Sequence, residues 1–177
     1  MNRKVKLLGL FVASAIVGHV GLVVAVPHAL MSIAMKRVSG EDGAVNQFRF
    51  GPRTTKDSRG VVRPSPDLAY ASCVYDLRKG PLLVTAAPSP NQGYASLSVF
   101  AANTDNIAAL DTRQYPQGIR FVLARKGQQV PAGVQVVESP SDKGIILDRR
   151  LAPTAELFAQ VDQARRADSC APLSGPA

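Results

Sequence analysis

From Leu7 to Val26 the chain runs through LLGLFVASAIVGHVGLVVAV without a charge, and the uncharged run continues to Met35. A helix rises about 1.5 Å per residue, so twenty residues span about 30 Å, the thickness of a bilayer's hydrocarbon core. The apolar centre of a signal peptide is usually about 7–15 residues long, so this run exceeds it. A core helix of a soluble protein would show polar residues at helical spacing, and only Ser14 and His19 interrupt this one. The stretch therefore reads as a transmembrane helix over 7–26, with the lipid bilayer as its partner. Pro27 has no N–H to donate and is expected to end or kink it. Residues His28 to Met35 are then placed at or near the far interface. Cleavage after Ser32-Ile33-Ala34, whose small residues suit a signal peptidase, is the alternative.

Charge supports a membrane address over a nucleic-acid partner. Arg3, Lys4, Lys6, Lys36 and Arg37 flank the apolar run, and no acid precedes Glu41. Those five account for most of the net charge of +8, leaving 16 basic against 13 acidic side chains. Basic residues beside an apolar segment are expected of a membrane protein, and the balance leans toward a cytoplasmic N-terminus with the remainder exported. The reading is an inner-membrane, single-pass protein with a periplasmic domain. Nucleic acid is not an expected partner.

After the helix, roughly 140 residues suffice for one domain. Residues 1–6 are read as a cytoplasmic head, 27–60 as a juxtamembrane segment and linker, and 61–177 as a β-rich exported domain. The linker carries the turn signals GEDG, GPR and DSRG. Between residues 49 and 63, Arg49, Arg53, Lys56, Arg59 and Arg63 face only Asp57, which suits a solvated segment or contact with lipid headgroups.

Short alternating runs follow, punctuated by Gly and Pro. Strands are expected at Tyr70–Leu77, Leu82–Ala86, Tyr94–Ala101, Ile119–Ala124, Val134–Val137 and Gly144–Asp148. One helix is expected after Pro153, with Thr154 as its N-cap and Leu157, Val161 and Ala164 on its apolar face. The fold class is mainly β, an antiparallel sheet or sandwich with one C-terminal helix.

Chemistry is limited by what is missing. No histidine follows His28, which excludes a Ser-His-Asp triad, a Cys-His dyad or a histidine-based zinc site in the exported domain. His19 and His28 are nine residues apart and fall on nearly opposite helix faces, unlike metal-binding pairs. Neither a GxxxxGK[ST] loop nor a GxGxxG turn occurs. No cofactor or metal is expected. Cys73 and Cys170 are two buried thiols or, if the domain is exported, one disulfide.

Several stretches resemble a known family. Val61 to Ser72, VVRPSPDLAYAS, resembles the VxxPNxDTLYS stretch of the bacterial domain of unknown function 1254 family. Asp76-Leu77 with Gly80-Pro81 is similar to its DLxxGP segment, and Tyr94 to Leu97 to its YxS strand. Asn103 to Asn106 resembles the NTDN element of its short, membrane-anchored members. The resemblance runs from about Val61 to the C-terminal helix. It implies a single-helix membrane protein with a β-rich domain and a companion from the domain of unknown function 1214 family. Longer proteins of the resembling family carry both domains in one chain. Ser65 stands where the family has Asn, and Leu68-Ala69 where it has Thr-Leu, so a site built on that Asn is altered here.

The candidate ligand- or partner-binding residues are Pro64, Asp67, Tyr70, Tyr94, Asn103, Asp105, Asn106 and Arg113. Each also has a structural reading, as turn former, strand entry or half-buried ring. The expected function is an anchored binding or assembly module. The alternative is an envelope enzyme or enzyme subunit acting on a small molecule or carbohydrate, which requires Asp67, Tyr70, Tyr94, Asp105 and Arg113 to converge. A sensor signalling through the anchor is a third reading, disfavoured by the six-residue head.

Overall fold

The computed structural model describes residues 2–59 and 63–173. Val61 and Val62 of the motif, and residues 174–177 of the expected domain, lie outside the described residues.

Helix α1 spans Arg3–Ser39. Asn2 caps it, its side-chain oxygen accepting from Lys4 N at 3.3 Å, while Lys36 and Arg37 suit the negative end of the dipole. Its apolar residues up to Val26 are exposed. The helix is long and apolar enough to cross a bilayer, a property that signal sequences share. Of the two expectations for Pro27, an end or a kink, the end is corrected, because α1 continues for twelve residues beyond it. A proline inside a helix costs about 3 kcal/mol in isolation. Here the following turns are held by tertiary packing: Met31, Ala34, Met35 and Val38 lie against Val74, Phe100 and Ile145.

Nine strands follow: β1 (Arg49–Phe50), β2 (Leu68–Asp76), β3 (Leu82–Ala86), β4 (Ala95–Ala101), β5 (Asn106–Asp111), β6 (Ile119–Arg125), β7 (Val136–Ser139), β8 (Lys143–Leu151) and β9 (Ser169–Pro172). They form a five-stranded sheet in the order β1-β2-β8-β4-β5 and a four-stranded sheet in the order β7-β6-β3-β9. All pairs are antiparallel except β6–β7, which is parallel and departs from the purely antiparallel expectation. Alternation along each strand sends one set of side chains inward. Cys73, Tyr75, Leu97, Val99 and Ile146 from one sheet meet Leu82, Val84, Phe121, Leu123 and Cys170 from the other. This is a β-sandwich.

Helix α2 (Ala155–Arg165) begins where expected, Thr154 Oγ1 accepting from Leu157 N at 3.2 Å. Val161 is fully buried against Ala69 and Ala152, so α2 closes one end of the five-stranded sheet. The segment read as a linker is instead stitched to the sandwich edge. Asn46 exchanges side-chain hydrogen bonds with the Asp76 backbone at 2.7 and 3.1 Å, and Gly51 N donates to Tyr70 O at 2.9 Å. Arg165, fully buried, donates to the Gly51 and Tyr70 carbonyls and so ties β1, β2 and α2 together.

Candidate functional site

The outer face of the five-stranded sheet carries an open concavity. The register pairs Tyr70 with Arg149, Ser72 with Leu147 and Val74 with Ile145, so these six side chains share one face. Ser98 and Phe100 of β4 join them opposite Leu147 and Ile145. The end of α1 covers the apolar corner at Val74 and Ile145. Beyond that corner an open cavity of about 390 Å³ remains, walled by Met31, Ala34 and Val38 of α1 and floored by Phe100, Ile145 and Leu147. Its other end is formed by Arg63, Pro64, Tyr70, Ser72 and Arg149. The Tyr70 hydroxyl accepts from Ser65 N at 2.8 Å, which fixes the segment carrying Pro64 over the sheet. Arg149 Nη2 donates to Ser98 Oγ at 3.1 Å, whereas Arg149 Nε is buried without a partner.

A smaller notch of about 250 Å³ holds two other candidates. The Arg113 guanidinium lies 5.6 Å from the centre of the Tyr94 ring, a cation–π distance. Thr112 Oγ1 accepts from Ala95 N at 3.0 Å and donates to Gly93 O at 3.2 Å, fixing the notch's backbone. Ser89 Oγ in its wall is buried without a partner.

The remaining candidates lie elsewhere. Asn103 Nδ2 donates to Asp105 Oδ2 at 2.6 Å, a contact within one turn, and Asn106 begins β5. This turn and Tyr94 sit at opposite ends of β4, about 20 Å apart by strand rise. Asp67 is exposed, and its backbone carbonyl accepts from Ala152 N at 2.8 Å. The structure thus brings Pro64 together with Tyr70, and Tyr94 together with Arg113. It does not converge Asp67, Tyr70, Tyr94, Asp105 and Arg113 on one pocket. Among the described residues no cluster of His, Cys, Asp and Glu could hold a metal ion.

Sequence reasoning missed a buried ionic network. Arg150 is fully buried, with Nε donating to Asp148 Oδ2 at 3.0 Å and Nη2 to both oxygens of Asp168 at 2.8 and 2.9 Å. Its Nη1 donates to Ala87 O at 3.0 Å, and Asp168 Oδ1 accepts from Ala87 N at 2.8 Å. The network links β8, the end of β3 and the approach to β9. The sequence signal was available: Asp148 and Arg150 fall on the inward register of a strand whose Ile146 faces the core.

One guanidinium serves two carboxylates there. Burial raises Asp148 above the usual carboxylate range against the pull of Arg150, and Asp148 Oδ1 has no partner. Burial likewise raises Asp168 to about 7, again opposed by Arg150 and reinforced by the charge of Asp148. Both acids bind protons more readily folded than unfolded, and through Asp168 the folded chain carries more protons across the interval from about pH 4 to about pH 7. Stability from these groups is full below the unfolded value and falls as pH rises through that window. The Asp148→Asn variant should lose less stability than the native chain between pH 5 and pH 7.5, read as urea midpoints. A greater loss in the variant would contradict this account.

Cys73 on β2 and Cys170 on β9 bring their sulfurs to bonding distance, with Cα atoms 6.7 Å apart. A bond there joins the two sheets through the centre of the core.

Over residues 45–172 the chain matches the family described as protein of unknown function (DUF1254). The match begins before the Val61 motif and takes in β1 and the stitched segment around Asn46. The chain is also similar to the crystal structure of the VPA0106 protein from Vibrio parahaemolyticus. There the TM-score is 0.69 at 18% identity, covering 88% of this chain and 39% of that one. A structure of an uncharacterized protein from Burkholderia cenocepacia matches with a TM-score of 0.45 at 16% identity, covering 90% of this chain and 44% of that one. The chain therefore spans less than half the length of either solved protein. No curated protein matches it.

Proposed function

This chain belongs to the DUF1254 family of proteins of unknown function, and on that premise we propose that it is a membrane-anchored assembly module that docks a companion envelope protein. The observation that carries the reading is an open sheet edge: β5 pairs only with β4 among the described residues, and its side chains are mostly part-exposed. A companion, expected from the domain of unknown function 1214 family, would dock there as a separate subunit. The β5 edge, paired only with β4 among the described residues, and the Asn103–Asn106 turn are the docking surface. An unpaired edge offers backbone donors and acceptors to a partner strand.

Retention of the anchor has its own support. Met31 is only 6% exposed because the end of α1 packs on the sheet. Cleavage after Ala34 would remove that cover and expose Val74, Phe100 and Ile145. The reading places α1 in the bacterial inner membrane and the sandwich in the periplasm. The enzyme alternative has no comparable support, since its proposed residues occupy separate places.

A C-terminally tagged chain extracted in mild detergent tests the proposal. The expected result is an intact N-terminus and a stoichiometric companion of the domain of unknown function 1214 family, identified by mass spectrometry. A chain that begins near Met35 and purifies alone and soluble would overturn it.

A further inference from the structure

The cavity beneath the end of α1 combines features that the assembly reading does not use. Its volume of about 390 Å³ falls within the range of about 300–1,000 Å³ typical of small-molecule sites. It is chemically polarised. Met31, Ala34, Val38, Phe100 and Ile145 make one end apolar, and Arg149 and Arg63 make the other cationic. Ile145 and Arg149 are four residues apart on β8, a separation of about 13 Å. No carboxylate lines the cavity, and neither Arg63 nor Arg149 forms a salt bridge among the described residues. The buried, unpartnered Nε of Arg149 leaves a charged donor unsatisfied. A guanidinium with no ion-pair partner at the end of an apolar cavity is best matched by an anion.

We propose that this cavity binds a long-chain fatty acid, its single acyl chain lying along Leu147, Ile145 and Phe100 and its carboxylate against Arg149, with Arg63 adding charge. The planar carboxylate suits the planar guanidinium edge. Met31 lies five residues past Val26, about 7.5 Å along the helix axis, so the apolar end opens beside the membrane-spanning stretch. The inference needs α1 in place but no companion protein, and it concerns a different surface from the β5 edge.

The test uses the purified full chain in nanodiscs of zwitterionic phosphatidylcholine, with cis-parinaric acid as fluorescent probe and empty nanodiscs as background. Mass spectrometry of the same sample confirms that α1 is present, so failure of the site is distinguishable from loss of the anchor. Saturable one-to-one binding, displaced by palmitate about tenfold better than by hexadecanol, is the expected result. That comparison needs no variant and reads the carboxylate directly. Arg149→Gln should weaken the probe by about tenfold, and Lys126→Gln, on the exposed turn after β6, should leave it unchanged. Equal displacement by palmitate and hexadecanol would overturn the proposal. So would binding no greater than in empty nanodiscs, or displacement by phosphatidylglycerol but not by palmitate.

Discussion

Replacing Arg150 by methionine is expected to lower the unfolding free energy of the full chain by about 3–5 kcal/mol, the range for breaking a buried ion pair from one side. The size follows from what remains behind. Asp148 and Asp168 have fully buried side chains, and Arg150 is the cation that both contact. Without it they must take up protons or drag water into the end of the sandwich. Ala87 O also loses its donor. The companion experiment separates charge from packing. Adding Asp148→Leu and Asp168→Asn to Arg150→Met removes the stranded charges and keeps an acceptor for Ala87 N, so most of the loss should be recovered. Urea unfolding in mild detergent reads both variants. A single variant as stable as the native chain would mean that water already reaches this network.

The second large effect concerns the cysteines. Cys73 and Cys170 are 97 residues apart, and a bond between them closes a loop of about that length. Loop-closure entropy assigns such a bond about 4–5 kcal/mol, acting chiefly on the unfolded chain. Under oxidising conditions the Cys73→Ala/Cys170→Ala double variant should unfold at markedly lower urea than the native chain. With excess reductant the gap should shrink to the cost of losing two buried sulfurs. Counting free thiols in protein taken directly from cells bears on compartment as well. Zero free thiols fits an oxidising space outside the cytoplasm, and two would place the sandwich on the reducing side.

Much of the sandwich was legible because alternation is a local signal. β3 was read at its observed bounds, and β2, β4, β6 and β8 within a few residues, since each carries a short alternating or continuous apolar run between turn signals. The strands that were missed lack this signal. β5, NIAALD, is an edge strand with two alanines and mostly part-exposed side chains. β9, SCAP, contains a proline and is held by pairing with β3. β1 is two residues long and exists through its pairing with β2. None of the three has intrinsic strand preference strong enough to stand out; β5 is held by the neighbouring β4, and β1 and β9 by partners more distant along the chain.

The sites divide in the same way. Residue type marked Pro64, Tyr70, Tyr94 and Arg113 as candidates, but only the register of β2 and β8 sets Tyr70 beside Arg149. Only the turn after β5 carries Arg113 to Tyr94. Arg149 and Arg165 drew no functional notice in the sequence, because a charged residue near a strand or helix end usually faces water.

The sequence by itself determined the long apolar helix, the β-rich domain with its single closing helix, the cap at Thr154 and the absence of histidine chemistry beyond His28. Each of these depends on composition or on periodicity within a dozen residues. The tertiary structure alone decided that α1 continues through Pro27, that the supposed linker is part of the sheet edge, and that Arg150 sits between two buried acids. It also decided that a cavity with one cationic end lies under the helix. Those features arise from pairs far apart along the chain, where burial and neighbouring charge outweigh local preference, and no local pattern encodes which distant residue will be the neighbour.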